Sequence, residues 1–153
     1  MLFRSRAVCN AVAVTNVADF FPRIYQHRLA NIIRSLATST RVADVARVLV
    51  DKFLLNIAGG DSYGLPVGPL ASSVLAEAVL IDVDAALGDA GFDFVRWFDD
   101  YTFFCRNDAE AQQALFFLGQ WLHQNHGLTL QPAKTKILHG AGPLPCRERR
   151  KSL

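Results

Sequence analysis

Paired cysteines, long apolar runs and a strong charge bias are all missing from this sequence. Cys9, Cys105 and Cys146 are odd in number, widely spaced and contain no CxxC pair. They therefore offer neither a zinc site of paired thiolates nor an even set for a disulfide framework, and a reducing, cytoplasmic setting fits best. No stretch approaches the ~20 apolar residues of a membrane span, so no membrane partner is expected. Met1-Leu2-Phe3-Arg4 is not followed by the apolar core and small-residue cleavage site of a signal peptide. Sixteen Lys plus Arg against 14 Asp plus Glu leave a net charge of only +2, too small to identify a nucleic-acid partner. His27, His123, His126 and His139 share no metal-site spacing and read as surface or cap residues.

What is present is a chain of 153 residues with 51% hydrophobic content, enough for one core and not for two domains. Ala11 to Val17 is rich in β-branched and small apolar residues and reads as a buried strand. After Pro22, which suits a first helical turn, Ile24, Leu29, Ile32, Ile33 and Leu36 follow helical spacing. Val42, Val45, Val48, Leu49 and Phe53 give a second helical stripe, and Gly59-Gly60-Asp61-Ser62 reads as a plain loop after it. From Leu70 to Leu87 apolar residues fall on more than one face, so a largely buried helix is expected.

Phe92 to Phe98 and Tyr101 to Cys105 are aromatic and β-branched runs separated by Asp99-Asp100. This is a hairpin pattern, yet its turn lacks the glycine that tight hairpins favour. Something other than turn propensity explains the two acids. Residues 108–125 carry Ala111, Ala114, Leu115, Leu118 and Leu122 on one helical side, closed by Asn125-His126-Gly127. Leu128-Thr129-Leu130 and Thr135 to Leu138 read as short strands around Pro132. Residues 139–153 lose periodicity and are expected to form a disordered tail, its basic run Arg147 to Lys151 solvated.

Setting aside the helices before Gly64, the order is strand, helix, hairpin, helix, strand. This is a split βαβ, and the expected class is α+β with a small antiparallel sheet packed against helices. Such a sheet carries Asn16, Asp19, Asp99 and Asp100 toward one another. Adjacent carboxylates at a hairpin tip repel unless cations lie between them, and Mg²⁺ is the natural choice for hard oxygen ligands beside phosphates. Two such ions about 4 Å apart can activate a hydroxyl and stabilise a leaving pyrophosphate.

Four segments then carry a resemblance. Val14-Thr15-Asn16-Val17-Ala18-Asp19-Phe20-Phe21-Pro22 resembles the first palm motif of reverse transcriptases, and Gly64-Leu65-Pro66-Val67-Gly68-Pro69 with Ser72 and Ser73 their template- and nucleotide-cradling loop. Phe94-Val95-Arg96-Trp97-Phe98-Asp99-Asp100-Tyr101 resembles the metal-binding hairpin, and Leu128 to Lys136 the lysine-bearing motif after it. Their order and spacing over residues 11–138 resemble a polymerase palm, most similar to bacterial abortive-infection and phage-defence reverse transcriptases.

The resemblance implies RNA-directed DNA polymerase activity by two-metal nucleotidyl transfer. Its partners would be an RNA template, a DNA primer and dNTP, with two Mg²⁺ ions as cofactor and Mn²⁺ as a substitute. Asp99 and Asp100 would ligate the metals and Lys134 would face the phosphates. Phe21 would gate the sugar, with Asp19 and Phe20 beside the triphosphate, and Gly68 and Pro69 would let the nucleotide approach closely. The family places a metal-bridging aspartate where this chain has Asn16, a neutral amide with one carbonyl oxygen. Weakened metal binding follows. Fingers and thumb are not recognised, so they are expected from the remainder of a longer chain, or the chain is an inactive palm that binds nucleic acid or a protein.

Overall fold

The computed structural model describes residues 8–57, 59–68, 70–139 and 144–145. Its elements, in chain order, are β1 (Val8–Cys9), β2 (Ala11–Asn16), α1 (Phe20–Arg23), α2 (Gln26–Leu36), α3 (Thr40–Val48), a π-helical turn (Leu49–Leu54), α4 (Leu55–Ile57), α5 (Leu70–Val79), α6 (Ile81–Asp89), β3 (Phe94–Trp97), β4 (Asp100–Cys105), α7 (Asp108–His126), a 3₁₀ turn (Pro132–Lys134), β5 (Lys136–Leu138) and β6 (Leu144–Pro145). The chain folds as two compact units. One combines residues up to Ala18 with those from Ala85 onward, and the other is Asp19–Asp84.

The sheet unit is built on four antiparallel strands in the order β3-β4-β2-β5. The first strand thus lies between the second strand of the hairpin and the last strand, the order of a split βαβ. Burial follows the two-residue period of a strand. Ala11, Ala13 and Thr15 are buried opposite Cys105, Phe103 and Tyr101, the small side chains of Ala13 and Thr15 leaving room beside the two aromatic rings. Helix α7 packs on β2 and β4, supplying Ala111, Ala114, Leu118 and Leu122 to the core. Asn107 caps it by accepting the Glu110 N–H at 2.9 Å, and Gly127 ends it at a left-handed φ of 65°. The free Cys105 thiol is buried in this core. Burial first, then the charges of Glu110 and Asp93, push it up to about 11.

In the helical unit, short α1 precedes α2, whereas periodicity suggests one helix from the Pro22 region. Ile24 and Tyr25 are extended between them and pin a loop. Gly64 N–H donates to the Ile24 carbonyl and Leu65 N–H to that of Phe21. A Cβ at Gly64, where φ is 91°, would stand 3.4 Å from the Pro22 carbonyl oxygen, so glycine suits both the conformation and the space. Buried Gln26 donates its side-chain N–H to the carbonyls of Gly64 (2.9 Å) and Tyr63 (3.3 Å). Arg28 pairs with Asp82 at 2.9 Å.

Three expectations change. The helix expected from Leu70 to Leu87 is interrupted at Leu80, between α5 and α6. It is also not buried on several faces, since Leu70 and Val74 are exposed. The strand expected at Leu128–Leu130 is reduced to an isolated bridge from Leu130 to Val17, and only Lys136–Leu138 forms a strand after it. Cys9 is disulfide-bonded, although the odd, scattered cysteine set suggests no disulfide; separation along a sequence does not measure distance in a folded chain. Within 139–153, exposed His139 faces Asp108 at 3.5 Å and Leu144–Pro145 pair with Val8–Cys9. The remaining residues of the expected tail lie outside those described.

Candidate active site

The site is set by the register of β2 against β4. Asn16 stands directly opposite Asp100, and Asp100 stands opposite Trp97 on β3. The hairpin turn is therefore Phe98-Asp99, and Asp100 already belongs to a strand. Phe98 has φ 53°, a conformation that costs a bulky residue about 1–3 kcal/mol. Two contacts hold it there: Arg96 donates from Nη1 to the Phe98 carbonyl at 2.9 Å, and Trp97 meets the Phe98 ring edge-on with centroids 5.3 Å apart. The Asp99 carbonyl accepts the Val17 N–H at 3.0 Å. Mirror-image hairpin turns need a positive φ, and here a phenylalanine rather than a glycine supplies it.

This geometry brings together Asn16, Asp99 and Asp100. Asn16 Nδ2 donates to Asp99 Oδ2 and to Asp100 Oδ1, both at 2.7 Å. Asn16 is buried, Asp99 half-buried and Asp100 exposed, so the cluster opens to solvent on the Asp100 side. The strand that carries Asn16 is tied down. The Asn16 carbonyl accepts the Gln131 N–H at 2.8 Å, and the neighbouring Thr15 hydroxyl bonds to that of Thr135 at 2.7 Å. Lys134 ends the 3₁₀ turn that begins one residue after Gln131, and its side chain is exposed. Gln131, Thr135 and Arg96 thus hold β2 and the hairpin turn; each lies within one of the resembling motifs, but the resemblance gives it no role.

The other residues expected at the site lie in the helical unit. Asp19 adopts a left-handed φ of 46° at the start of α1, and its side chain, 66% exposed, pairs with Arg23 at 3.5 Å. Phe20 is only 3% exposed, so its ring is part of that unit's core. Phe21 is half-buried and meets Phe20 edge-on at 5.7 Å. Gly68 is exposed with φ 112° and nothing within 4 Å of where a Cβ would be. Ser72 is buried. Pro69 lies outside the described residues.

A pair of divalent ions needs several anionic oxygens converging on it. Among the described residues no group of three or more His, Cys, Asp or Glu side chains is placed to hold a metal. The third corner beside Asp99 and Asp100 is filled by an amide presenting its nitrogen, which has no lone pair to give. As they stand, these residues do not fit a two-ion centre. Among the described residues, no helix is long and apolar enough to cross a membrane.

No curated protein is significantly similar in sequence. Among solved structures the chain is similar to telomerase from Candida albicans, determined in complex with a fragment of telomeric RNA. The TM-score is 0.62 with 14% identity, over 90% of this chain and 29% of that one. The likeness bears on the fold, and the chain spans less than a third of that protein's length. The family model for reverse transcriptases, described as RNA-dependent DNA polymerases, matches residues 4–151, and the chain belongs to that family.

Proposed function

We propose that this chain is the palm of an RNA-directed DNA polymerase whose carboxylate set has lost one member at Asn16. The supporting observation is the β2–β4 register, which sets the end of the first motif against the two acids of the hairpin. The reaction is attack of a primer 3′-hydroxyl on the α-phosphorus of a dNTP, forming the new phosphodiester and releasing pyrophosphate. In this reading Asp99 and Asp100 are its carboxylates, and exposed Lys134, tethered through Gln131 to β2, meets the triphosphate. The family's pattern gives Phe21 the role of sugar gate and assigns Asp19, Phe20, Gly68 and Pro69 to the nucleotide. The template is RNA, in keeping with the RNA-bound state of the telomerase relative. The cellular role in this reading is phage defence of the abortive-infection kind.

Incorporation of dNTP on a primed RNA template, with Mg²⁺ or Mn²⁺ in the buffer, tests this reading. The unmodified chain is expected to be weakly active, Asn16→Asp to be faster by on the order of 10–100-fold, and Asp99→Ala to be inactive. A folded Asn16→Asp chain as silent as Asp99→Ala sinks the polymerase reading. The second reading, a palm that binds nucleic acid without turnover, is favoured by the amide bonded to both carboxylates. Retained binding of a primed RNA by that silent variant would support it.

A further inference from the structure

The two hydrogen bonds from Asn16 join groups that otherwise repel. Asp99 and Asp100 are consecutive, and an oxygen of each lies 2.7 Å from the same nitrogen. Carboxylates gathered so closely require a positive charge or a shared donor between them. Nδ2 carries two protons and can give one to each. The opposite amide orientation would set a carbonyl oxygen against two anions and donate nothing, so the chemistry of the corner dictates that the nitrogen faces inward. The residue is also held from behind. Asn16 is 8% exposed, its carbonyl accepts from Gln131, and the next residue, Val17, donates to the Asp99 carbonyl.

We infer that Asn16 is a built-in substitute for a cation, its amide fastening both carboxylates of the hairpin tip to β2 so that the tip assembles without any divalent ion. A metal entering between the carboxylates has to displace two charge-assisted hydrogen bonds. At best it gains one neutral oxygen from the third corner. Asn16→Asp inverts the situation: a third anion replaces the donor, and the tip is then held together only when a cation arrives. This goes beyond the polymerase reading, because it concerns how the tip is held and is measured with neither nucleotide nor nucleic acid. Loss of dNTP incorporation leaves it standing, and its own failure leaves incorporation to be judged separately.

The experiment is thermal unfolding of the unmodified chain and of Asn16→Asp, each in EDTA and then with Mg²⁺ or Mn²⁺. The midpoint of the unmodified chain is expected to move by less than about 1 °C between the two conditions. That of the variant is expected to be about 5 °C lower in EDTA and to rise as either ion is added, with Mn²⁺ binding about tenfold or more tighter than to the unmodified chain. A variant that folds only when the ion is supplied gives the same support. In parallel, ¹⁵N NMR of the unmodified chain in EDTA should show the Asn16 side-chain protons exchanging slowly with water and keeping their positions when Mg²⁺ is added. This readout decides the matter if the variant folds under neither condition. Rapidly exchanging Asn16 protons, an unmodified chain whose midpoint climbs with Mg²⁺, or a variant equally stable in EDTA each overturns the inference.

Discussion

The sheet unit and the helical unit treat their apolar residues differently. In the sheet unit Tyr101, Phe103, Leu118, Leu122 and Leu128 are buried, and only Val95, Trp97, Phe116 and Leu138 stand out as exposed large apolar residues among those described. In the helical unit Ile24, Leu29, Leu54 and Leu65 are buried, yet Val42, Val45, Val48, Phe53 and Ile57 stand exposed along α3 to α4. Leu70 and Val74 stand exposed on α5. Both stretches have helical periodicity, so periodicity reports the helix without reporting what covers its apolar face. The helical unit instead gathers polar fastenings. Gln26, Gly64 and Leu65 close its central loop through backbone carbonyls. The helical unit leaves more of its large apolar side chains uncovered, and its central loop leans on hydrogen bonds that are costly to leave unmade.

The sharpest way to break this contrast is to hollow the sheet unit. Phe103→Ala removes a fully buried ring stacked near Tyr101 and Phe94 and is expected to cost about 3–5 kcal/mol in denaturant unfolding. Gln26→Ala comes next, at about 1–3 kcal/mol, because the carbonyls of Tyr63 and Gly64 lose their side-chain donor. Amide exchange should then quicken at Gly64 and Leu65 while the β2 and β4 amides stay protected. Smallest is Val45→Ser on the exposed stripe, expected to change stability by less than about 0.5 kcal/mol. If it costs as much as Phe103→Ala, the exposed stripe is a core after all and the contrast between the units fails.

Much of the sheet unit was legible because its signals are local and agree. A run of β-branched and small apolar residues marks β2, an aromatic and β-branched run marks β4, and the spacing of Ala111, Ala114, Leu118 and Leu122, with Gly127 after it, marks α7. The split βαβ order carries Asn16, Asp19, Asp99 and Asp100 toward one another, and the register brings together Asn16, Asp99 and Asp100 while Asp19 pairs with Arg23. Less legible was the position of the turn, because a phenylalanine with positive φ contradicts ordinary turn preferences. Phe98 is held by the Arg96 bond to its carbonyl and by the Trp97 ring, contacts that turn propensity does not encode. The break at Leu80 and the π-helical turn at Leu49–Leu54 also escaped, since apolar spacing barely changes across them. Asn16 could be recognised as a missing carboxylate from the sequence, but which end of its amide faces the acids depends on two partners 83 and 84 residues away.

The pairing of β2 with β4 also sets a rule for how this protein can change length. Side chains on a strand alternate between faces, so losing or gaining one residue within Ala11–Thr15 would turn the segment over. Ala13 would no longer sit opposite Phe103, nor Asn16 opposite Asp100. Single-residue insertions and deletions in this strand therefore need a bulge to absorb them. The loop at Gly59–Gly60, where both glycines have open space around them, has no such parity to keep. Drift in chain length should accumulate there, and the spacing from Ala11 to Asn16 should be the last thing to vary.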